Sequence, residues 1–190
     1  QPSHPVIARL SVLGIPVYGA RTDQLADIDS VARDLGVLLG LQSAGDSVAR
    51  TLAAAFDSVR ARVAGAPRVR MMYALSLDPP VAAGPDTYIH ELIVLAGGEN
   101  IFGDVRALWP QVSIEDVIQR RPQAIVMAGE EAAMTGMRIT ELPGWRELEA
   151  ARTGRVLHVD PYIFNRPGPA LVQAAQQLAR FLHPDRFDRP

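Results

Sequence analysis

The spacing of apolar residues near the start of the chain predicts two helices separated by one strand. Residues 6–13 read as the end of a helix that Gly14 closes in the left-handed conformation common at that position. Over 24–39 apolar residues recur at intervals of three and four, which predicts an amphipathic helix with Asp23 as its cap. The short apolar run at 15–19 between them predicts a strand.

A longer helix is predicted next. From Asp46 the apolar residues repeat at intervals of four, four, three and four, which indicates one uninterrupted helix to residue 64, roughly 30 Å long. Gly65 and Pro67 end it. Because it contains no run of Gly, Ser or Pro, this helix suits a rigid spacer better than a flexible linker.

Strands and helices alternate through the rest of the chain. Strands are predicted at 68–75, 123–128 and 155–160, and helices at 86–96, 113–121, 144–151 and 169–183. Short apolar strands separated by helices are typical of an α/β fold with a mostly parallel sheet flanked by helices. Ligands of such sheets bind outside the carboxyl ends of the strands, which directs attention to loops 76–85, 129–143 and 160–168.

The two ends of the chain differ in the secondary structure that they are predicted to contain. Residues 66–190 hold the elements of a complete α/β lobe, whereas one strand within residues 1–45 cannot form a sheet of its own. We therefore expect a two-lobed protein in which residues 1–45 are part of a first lobe, residues 46–65 the connecting helix and residues 66–190 the second lobe.

Composition excludes several classes of chemistry. Cysteine is absent and all 19 basic residues are arginine, so thiolate catalysis, iron–sulfur ligation, a Schiff-base lysine and a phosphate-loop lysine are impossible within this sequence. The net charge of −2 gives no field suited to nucleic acid. No apolar stretch is long enough to cross a bilayer, and no targeting peptide is visible.

The sequence motifs of common enzymes are also missing. There is no GxSxG elbow and no HExxH pair, and the four histidines at 4, 90, 158 and 183 are scattered. The glycines of GGENIFG, at 97–103, suit a helix C-cap better than a dinucleotide fingerprint. We therefore expect a protein that is not an enzyme, with no metal site and no catalytic cofactor.

The segment at 107–128 is more informative. Ser113, with Asp116 three residues later, predicts a capped helix and puts Glu115 in its first turn, where the helix dipole favours a carboxylate. Dipole compensation alone is the competing interpretation of Glu115. Trp109 precedes Pro110, and such a tryptophan either fills a core or presents its indole face to a flat ligand.

A second group of candidate residues follows the last predicted strand: Asp160, Tyr162, Phe164, Asn165 and Arg166. Aromatic faces beside a guanidinium and an amide suit a large, partly apolar ligand that is rich in hydrogen-bond acceptors. The alternative is a loop whose aromatic residues cover the core while Arg166 pairs with Asp160.

These residues also carry a resemblance. WPQVSIEDVIQRRPQAIVM, with AGGENIFGD upstream and FNRPGPALVQAAQQLARFL downstream, resembles the helical-backbone class of substrate-binding proteins of ABC importers, above all its periplasmic cobalamin binders. Other members of the class bind ferric siderophores or haem. The resemblance extends from about Leu10 to Leu182.

The resemblance implies two α/β lobes joined by one long helix, here 46–64, and a periplasmic or other extracytoplasmic location. It implies that Trp109 lies against a corrin ring and that Arg166 donates hydrogen bonds to the amide side chains of the corrin. It also implies that Glu115 meets arginines of the membrane permease when the carrier delivers its ligand.

Three positions depart from the cobalamin-binding pattern. Val81 stands where an aromatic residue is expected, Asn165 replaces an acidic residue, and Tyr162 replaces a small acidic one. The departures leave open a related corrinoid, haem, or a ferric siderophore held by Arg138 with Arg166. From other classes, a chelatase-like metal enzyme using His90 or His158, or a truncated domain acting through protein contacts, stays open.

Overall fold

The fold was analysed in a computed structural model that describes residues 5–129 and 139–187. Within those residues the helices are α1 (Pro5–Val12), α2 (Leu25–Leu38), α3 (Gln42–Arg62), α4 (Tyr88–Leu95), α5 (Ile114–Arg120), α6 (Glu149–Arg152), α7 (Pro161–Phe164) and α8 (Leu171–Leu182). Single 3₁₀ turns lie at Ile139–Glu141, Trp145–Glu147 and Pro184–Arg186. The strands are β1 (Val69–Leu77), β2 (Pro80–Ala82), β3 (Gly98–Asn100), β4 (Ala124–Met127) and β5 (Val156–His158).

The strands form one mixed sheet in the order β2, β1, β4, β5, with β3 also paired to β1. β1 pairs in parallel with β3 and β4, β4 pairs in parallel with β5, and β2 returns antiparallel along β1. The carboxyl ends of β1, β4 and β5 therefore lie at the same edge of the sheet.

Buried apolar side chains lie on both faces of the sheet, because successive side chains of a strand point to opposite faces. Met71 and Tyr73 of β1 share a buried cluster with apolar residues of α3, α4 and α8, such as Phe56. Met72 and Ala74 face the opposite side, where the buried cluster includes Val117 of α5. The predicted α/β fold class is confirmed.

The long helix α3 runs unbroken, as predicted, but begins at Gln42 rather than Asp46. It lies against α2 at very close range: an added Cβ on Gly45 would fall 2.5 Å from the Ala32 carbonyl oxygen and 3.0 Å from Gly36 Cα. Glycine is therefore required where these two helices approach. Buried apolar residues of α3 also pack against α4 and α8.

Three predictions from the sequence need correction. Residues 15–19 form no strand, because no described segment pairs with them; they have no regular secondary structure and are exposed. Helix α2 is capped by Gln24, not Asp23, through a capping box in which the Asp27 carboxylate accepts the Gln24 N–H at 3.0 Å. Strands β2 and β3 were not predicted, since three residues carry too little periodicity.

No helix in the described ranges is both long enough and apolar enough to span a membrane.

Candidate functional site

The candidate site lies at the sheet edge where β1, β4 and β5 end. The segment after β5 crosses back over this edge, because Asn165 is tied to two neighbouring strands. Its Oδ1 accepts from the Tyr73 hydroxyl of β1 at 2.7 Å, and its Nδ2 donates to the Ala128 carbonyl after β4 at 3.0 Å. The loop that follows β5 is therefore positioned by strands far from it in sequence.

Trp109 is held beside β2 by the backbone on both of its sides. The Ala82 N–H donates to the Pro110 carbonyl at 3.0 Å, and the Gly84 N–H donates to the Leu108 carbonyl at 2.8 Å. Trp109, between these two anchors, is 37% exposed. An exposed indole on a fixed segment suits contact with a flat, apolar ligand surface.

The approach of this segment requires the glycine at position 84. A Cβ on Gly84 would lie 1.7 Å from the Ala107 carbonyl oxygen, so no other residue fits there without moving the Trp109 segment. Val81 is half-buried in β2 and forms an antiparallel bridge with Gln111, two residues beyond Trp109. Val81 and Trp109 thus lie on two neighbouring segments that are hydrogen-bonded to each other.

Tyr162 and Arg166 form the second part of the site. The Arg166 guanidinium lies 4.3 Å from the centroid of the Tyr162 ring, and the ring is 58% exposed. In the parts of the chain that the structure describes, no hydrogen bond or ion pair engages the guanidinium, so its donors can reach a ligand. The predicted alternative, a pair between Arg166 and Asp160, is not found: Asp160 caps α7 by accepting the Tyr162 N–H at 2.8 Å.

Two of the predicted site residues face inward instead. Phe164 is 0% exposed, and its ring stacks on Tyr73 with centroids 6.2 Å apart, so it has no surface to present to a ligand. The amide of Asn165 is used at both ends by Tyr73 and Ala128. Burial raises the pKa of the Tyr73 phenol well above its usual range, with a smaller contribution from Tyr88. The Tyr73 hydroxyl therefore keeps its proton and donates a hydrogen bond to Asn165.

Glu115 is exposed in the first turn of α5, as predicted. The Ser113 hydroxyl accepts the Asp116 N–H at 3.0 Å, which confirms the cap. The other end of the helix is fixed by Arg120, whose guanidinium lies 4.9 Å over the Phe102 ring and pairs with Asp104 at 2.7 Å. Glu115 is therefore displayed on a short helix anchored at both ends.

The described residues give little support to a metal enzyme that uses His90 or His158, or to a siderophore site that uses Arg138 with Arg166. Across residues 5–129 and 139–187, no group of three or more His, Asp or Glu side chains could hold a metal ion. His90 is partly buried beside Asn100, and His158 is exposed at the end of β5. Arg138 and most of loop 129–143 lie outside the described residues.

Sequence reasoning missed two residues that hold the site in place, Tyr73 and Gly84. Tyr73 looked like an ordinary strand residue, because its partner Asn165 lies far along the chain. A glycine between Ala83 and Pro85 was the one available signal for a close backbone approach.

A model of the family described as "periplasmic binding protein" matches residues 7–163. The chain belongs to the periplasmic binding protein family. Among similar members, the vitamin B12-binding protein of Salmonella paratyphi A is 30% identical over 176 residues, which cover 93% of this chain and 64% of that protein. The vitamin B12-binding protein of Vibrio parahaemolyticus is 30% identical over 169 residues, or 88% of this chain and 60% of the relative. The chain therefore spans less than two thirds of these relatives.

Solved structures of the family have the same fold. The periplasmic vitamin B12-binding protein BtuF of Vibrio cholerae superposes with a TM-score of 0.80 at 28% identity, over 97% of this chain and 71% of BtuF. The periplasmic haem-binding protein RhuT of Roseiflexus sp. RS-1 gives a TM-score of 0.85 at 20% identity, over 97% of this chain and 73% of RhuT. The second likeness concerns the fold alone.

Proposed function

We propose that this periplasmic binding protein carries cobalamin or a closely related corrinoid to the permease of an ABC importer. The observation that carries the proposal is that two exposed features, an indole on a fixed segment beside β2 and an arginine with free donors in the loop after β5, occur in a chain about 30% identical to vitamin B12-binding proteins. The proposed location is the periplasm.

The chemistry of the site suits a corrinoid. Trp109 and Tyr162 offer apolar faces for the macrocycle, while the Arg166 guanidinium offers up to five N–H donors to amide oxygens at its rim. Val81 adds an aliphatic contact beside Trp109. Neither Phe164 nor Asn165 is part of the proposed contact surface, because their side chains are committed to the core and to the strand ends. The carrier forms no covalent bond and catalyses no reaction.

Residues 1–45 are proposed to belong to a first lobe and residues 66–190 to a second, with the helix between them setting their spacing. Glu115, displayed on α5, is proposed to meet arginines of the permease. Such a charge-assisted contact mainly sets register and association rate. The haem and siderophore alternatives are kept as arms of the binding test.

Isothermal titration of the purified protein with cyanocobalamin tests the proposal. Trp109→Ala and Arg166→Ala should each weaken binding about 10-fold or more, because each removes about 1.5–3 kcal/mol of apolar contact or charged hydrogen bonding. The matched control, Glu115→Gln, should bind like the unmodified protein, since Glu115 lies on α5 rather than among the ligand contacts.

Parallel titrations with haemin and with a ferric hydroxamate siderophore separate the ligands. Tight binding of either one, with no binding of cyanocobalamin at micromolar concentration, would overturn the cobalamin assignment. Equal affinities of the unmodified protein and both alanine variants would overturn the proposed site.

A further inference from the structure

We propose that Asn100 is a positioning residue for Trp109. Its side-chain amide holds the backbone against which the Trp109 segment lies. The inference rests on the proposed function for its importance to ligand binding, and it gives a role to the GGENIFG motif that the ligand contacts leave unexplained.

The Asn100 side chain is buried and its orientation is fixed by two backbone groups. Nδ2 donates to the Ala83 carbonyl at 2.9 Å, and Oδ1 accepts the Phe102 N–H at 3.1 Å. Because one partner is a pure acceptor and the other a pure donor, the amide cannot be reversed without breaking both bonds. Nδ2 also lies 3.3 Å from His90 Nδ1.

The residues next to Ala83 in the chain are hydrogen-bonded to the segment that contains Trp109. The Ala82 and Gly84 N–H groups flank Ala83 and donate to Pro110 and Leu108, the two residues on either side of the indole. The Ala83 N–H itself donates to the Tyr73 carbonyl at 3.2 Å. The Ala83 peptide is thus fixed from β1 on one side and from Asn100 on the other, while its neighbours hold Trp109.

A second side chain secures the next carbonyl along. The Thr87 hydroxyl donates to the Gly84 carbonyl at 2.9 Å and accepts the His90 N–H at 3.1 Å. Asn100 and Thr87 therefore hold consecutive carbonyl groups of one loop by independent bonds. No contact joins the Asn100 side chain directly to Trp109 in the described residues, so Asn100 acts through the backbone.

Fluorescence of the unliganded protein tests the inference directly. In a Trp145→Phe background Trp109 is the only tryptophan, and its quenching by acrylamide reports the exposure of the indole. Asn100→Asp keeps the Oδ1 acceptor but places a second oxygen against the Ala83 carbonyl. We expect acrylamide quenching of Trp109 to rise about 2-fold and cyanocobalamin affinity to fall about 10-fold.

The matched control is Gln123→Ala. Gln123 also bonds the backbone of β1 through its side chain, accepting the Arg70 N–H at 3.0 Å, but at the opposite end of the strand from Trp109. It should lower the melting temperature without changing the quenching of Trp109. A purely structural role for Asn100 would give the same result in Asn100→Asp, which would overturn the inference.

Asn100→Ala decides the matter if Asn100→Asp does not fold. It removes the bonds to the Ala83 carbonyl and the Phe102 N–H without adding a charge, so increased quenching of Trp109 supports the inference and unchanged quenching overturns it. Because quenching is measured without ligand, it decides the role of Asn100 even if cyanocobalamin fails to bind.

Discussion

The region before α3 and the sheet-containing region after it have similar patterns of apolar residues, but those residues are mostly exposed in the first region and mostly buried in the second. After residue 68, the alternating and helical patterns end in two buried clusters, one on each face of the sheet. Before residue 42, many large apolar side chains stay exposed, among them Val12, Leu13, Ile15, Val17, Val37, Leu38, Leu39 and Leu41. A local pattern is therefore enough to set a helix, whereas burial depends on a partner surface.

The two regions meet at a groove and at a polar contact. The groove, about 390 Å³ in volume, lies between apolar residues of α2 and α3, such as Ile28 and Leu52, and the Pro167–Pro169 turn. Nearby, the Leu25 N–H at the start of α2 donates to the Glu91 carboxylate of α4 at 2.6 Å. The first region is thus fastened at the start of α2, while much of its apolar surface stays exposed.

The largest expected effect contrasts a buried aromatic residue with an exposed aliphatic one. Phe164→Ala should lower the free energy of unfolding by about 3–5 kcal/mol, because it leaves a cavity beside Tyr73. Leu39→Ala, at a side chain that is 69% exposed, should change it by no more than about 0.5 kcal/mol. Urea denaturation followed by circular dichroism measures both, and similar losses would show that Leu39 is covered in solution.

A smaller effect is expected where the first region packs against α3. Gly45→Ala should lower the free energy of unfolding by about 1–3 kcal/mol, because the new methyl group would meet the Ala32 carbonyl and Gly36 Cα. The better helix propensity of alanine opposes this loss.

Gly19→Ala is the matched control, because nothing lies within 4 Å of its added Cβ and its backbone is not left-handed. It should be neutral or slightly stabilising. If Gly45→Ala were as well tolerated as Gly19→Ala, α2 would have to move freely relative to α3, and the close approach of the two helices would be unimportant.

The sequence was a good guide wherever a local interaction decides the outcome. The Ser113 cap, the place of Glu115 and the unbroken run of α3 all follow from residues within a few positions of one another. The strand predicted at 15–19 failed for the opposite reason, since a strand exists only when another strand pairs with it.

The candidate site shows the same limit. Sequence reasoning placed Trp109 and Arg166 on loops, where the structure also has them exposed. It could not tell that Phe164 and Asn165 point inward, because that depends on Tyr73, a residue 92 positions from Asn165. Side-chain direction within a loop is set by such distant partners, and a single sequence does not display them.

The smallest expected effect concerns a carboxylate on the open helix α2. Asp29 Oδ1 is buried without a hydrogen-bond partner in the described residues. Burial raises the pKa of Asp29 above its usual 3.8, although the nearby Arg33 partly opposes the shift. The ionised form is thus disfavoured by folding, and this cost is present at pH values above the folded-state pKa.

Asp29→Asn should therefore raise the melting temperature at pH 7 by about 2 °C. The gain should shrink as the pH falls through the raised pKa, because the unmodified carboxyl then takes up a proton and loses its charge penalty. Calorimetric melting between pH 3 and pH 7 measures this, with Asp23→Asn as the exposed control. If the gain in melting temperature did not change with pH, Asp29 would be as well hydrated as the exposed Asp23. The exposure of the first region would then extend from its apolar side chains to the polar groups of α2.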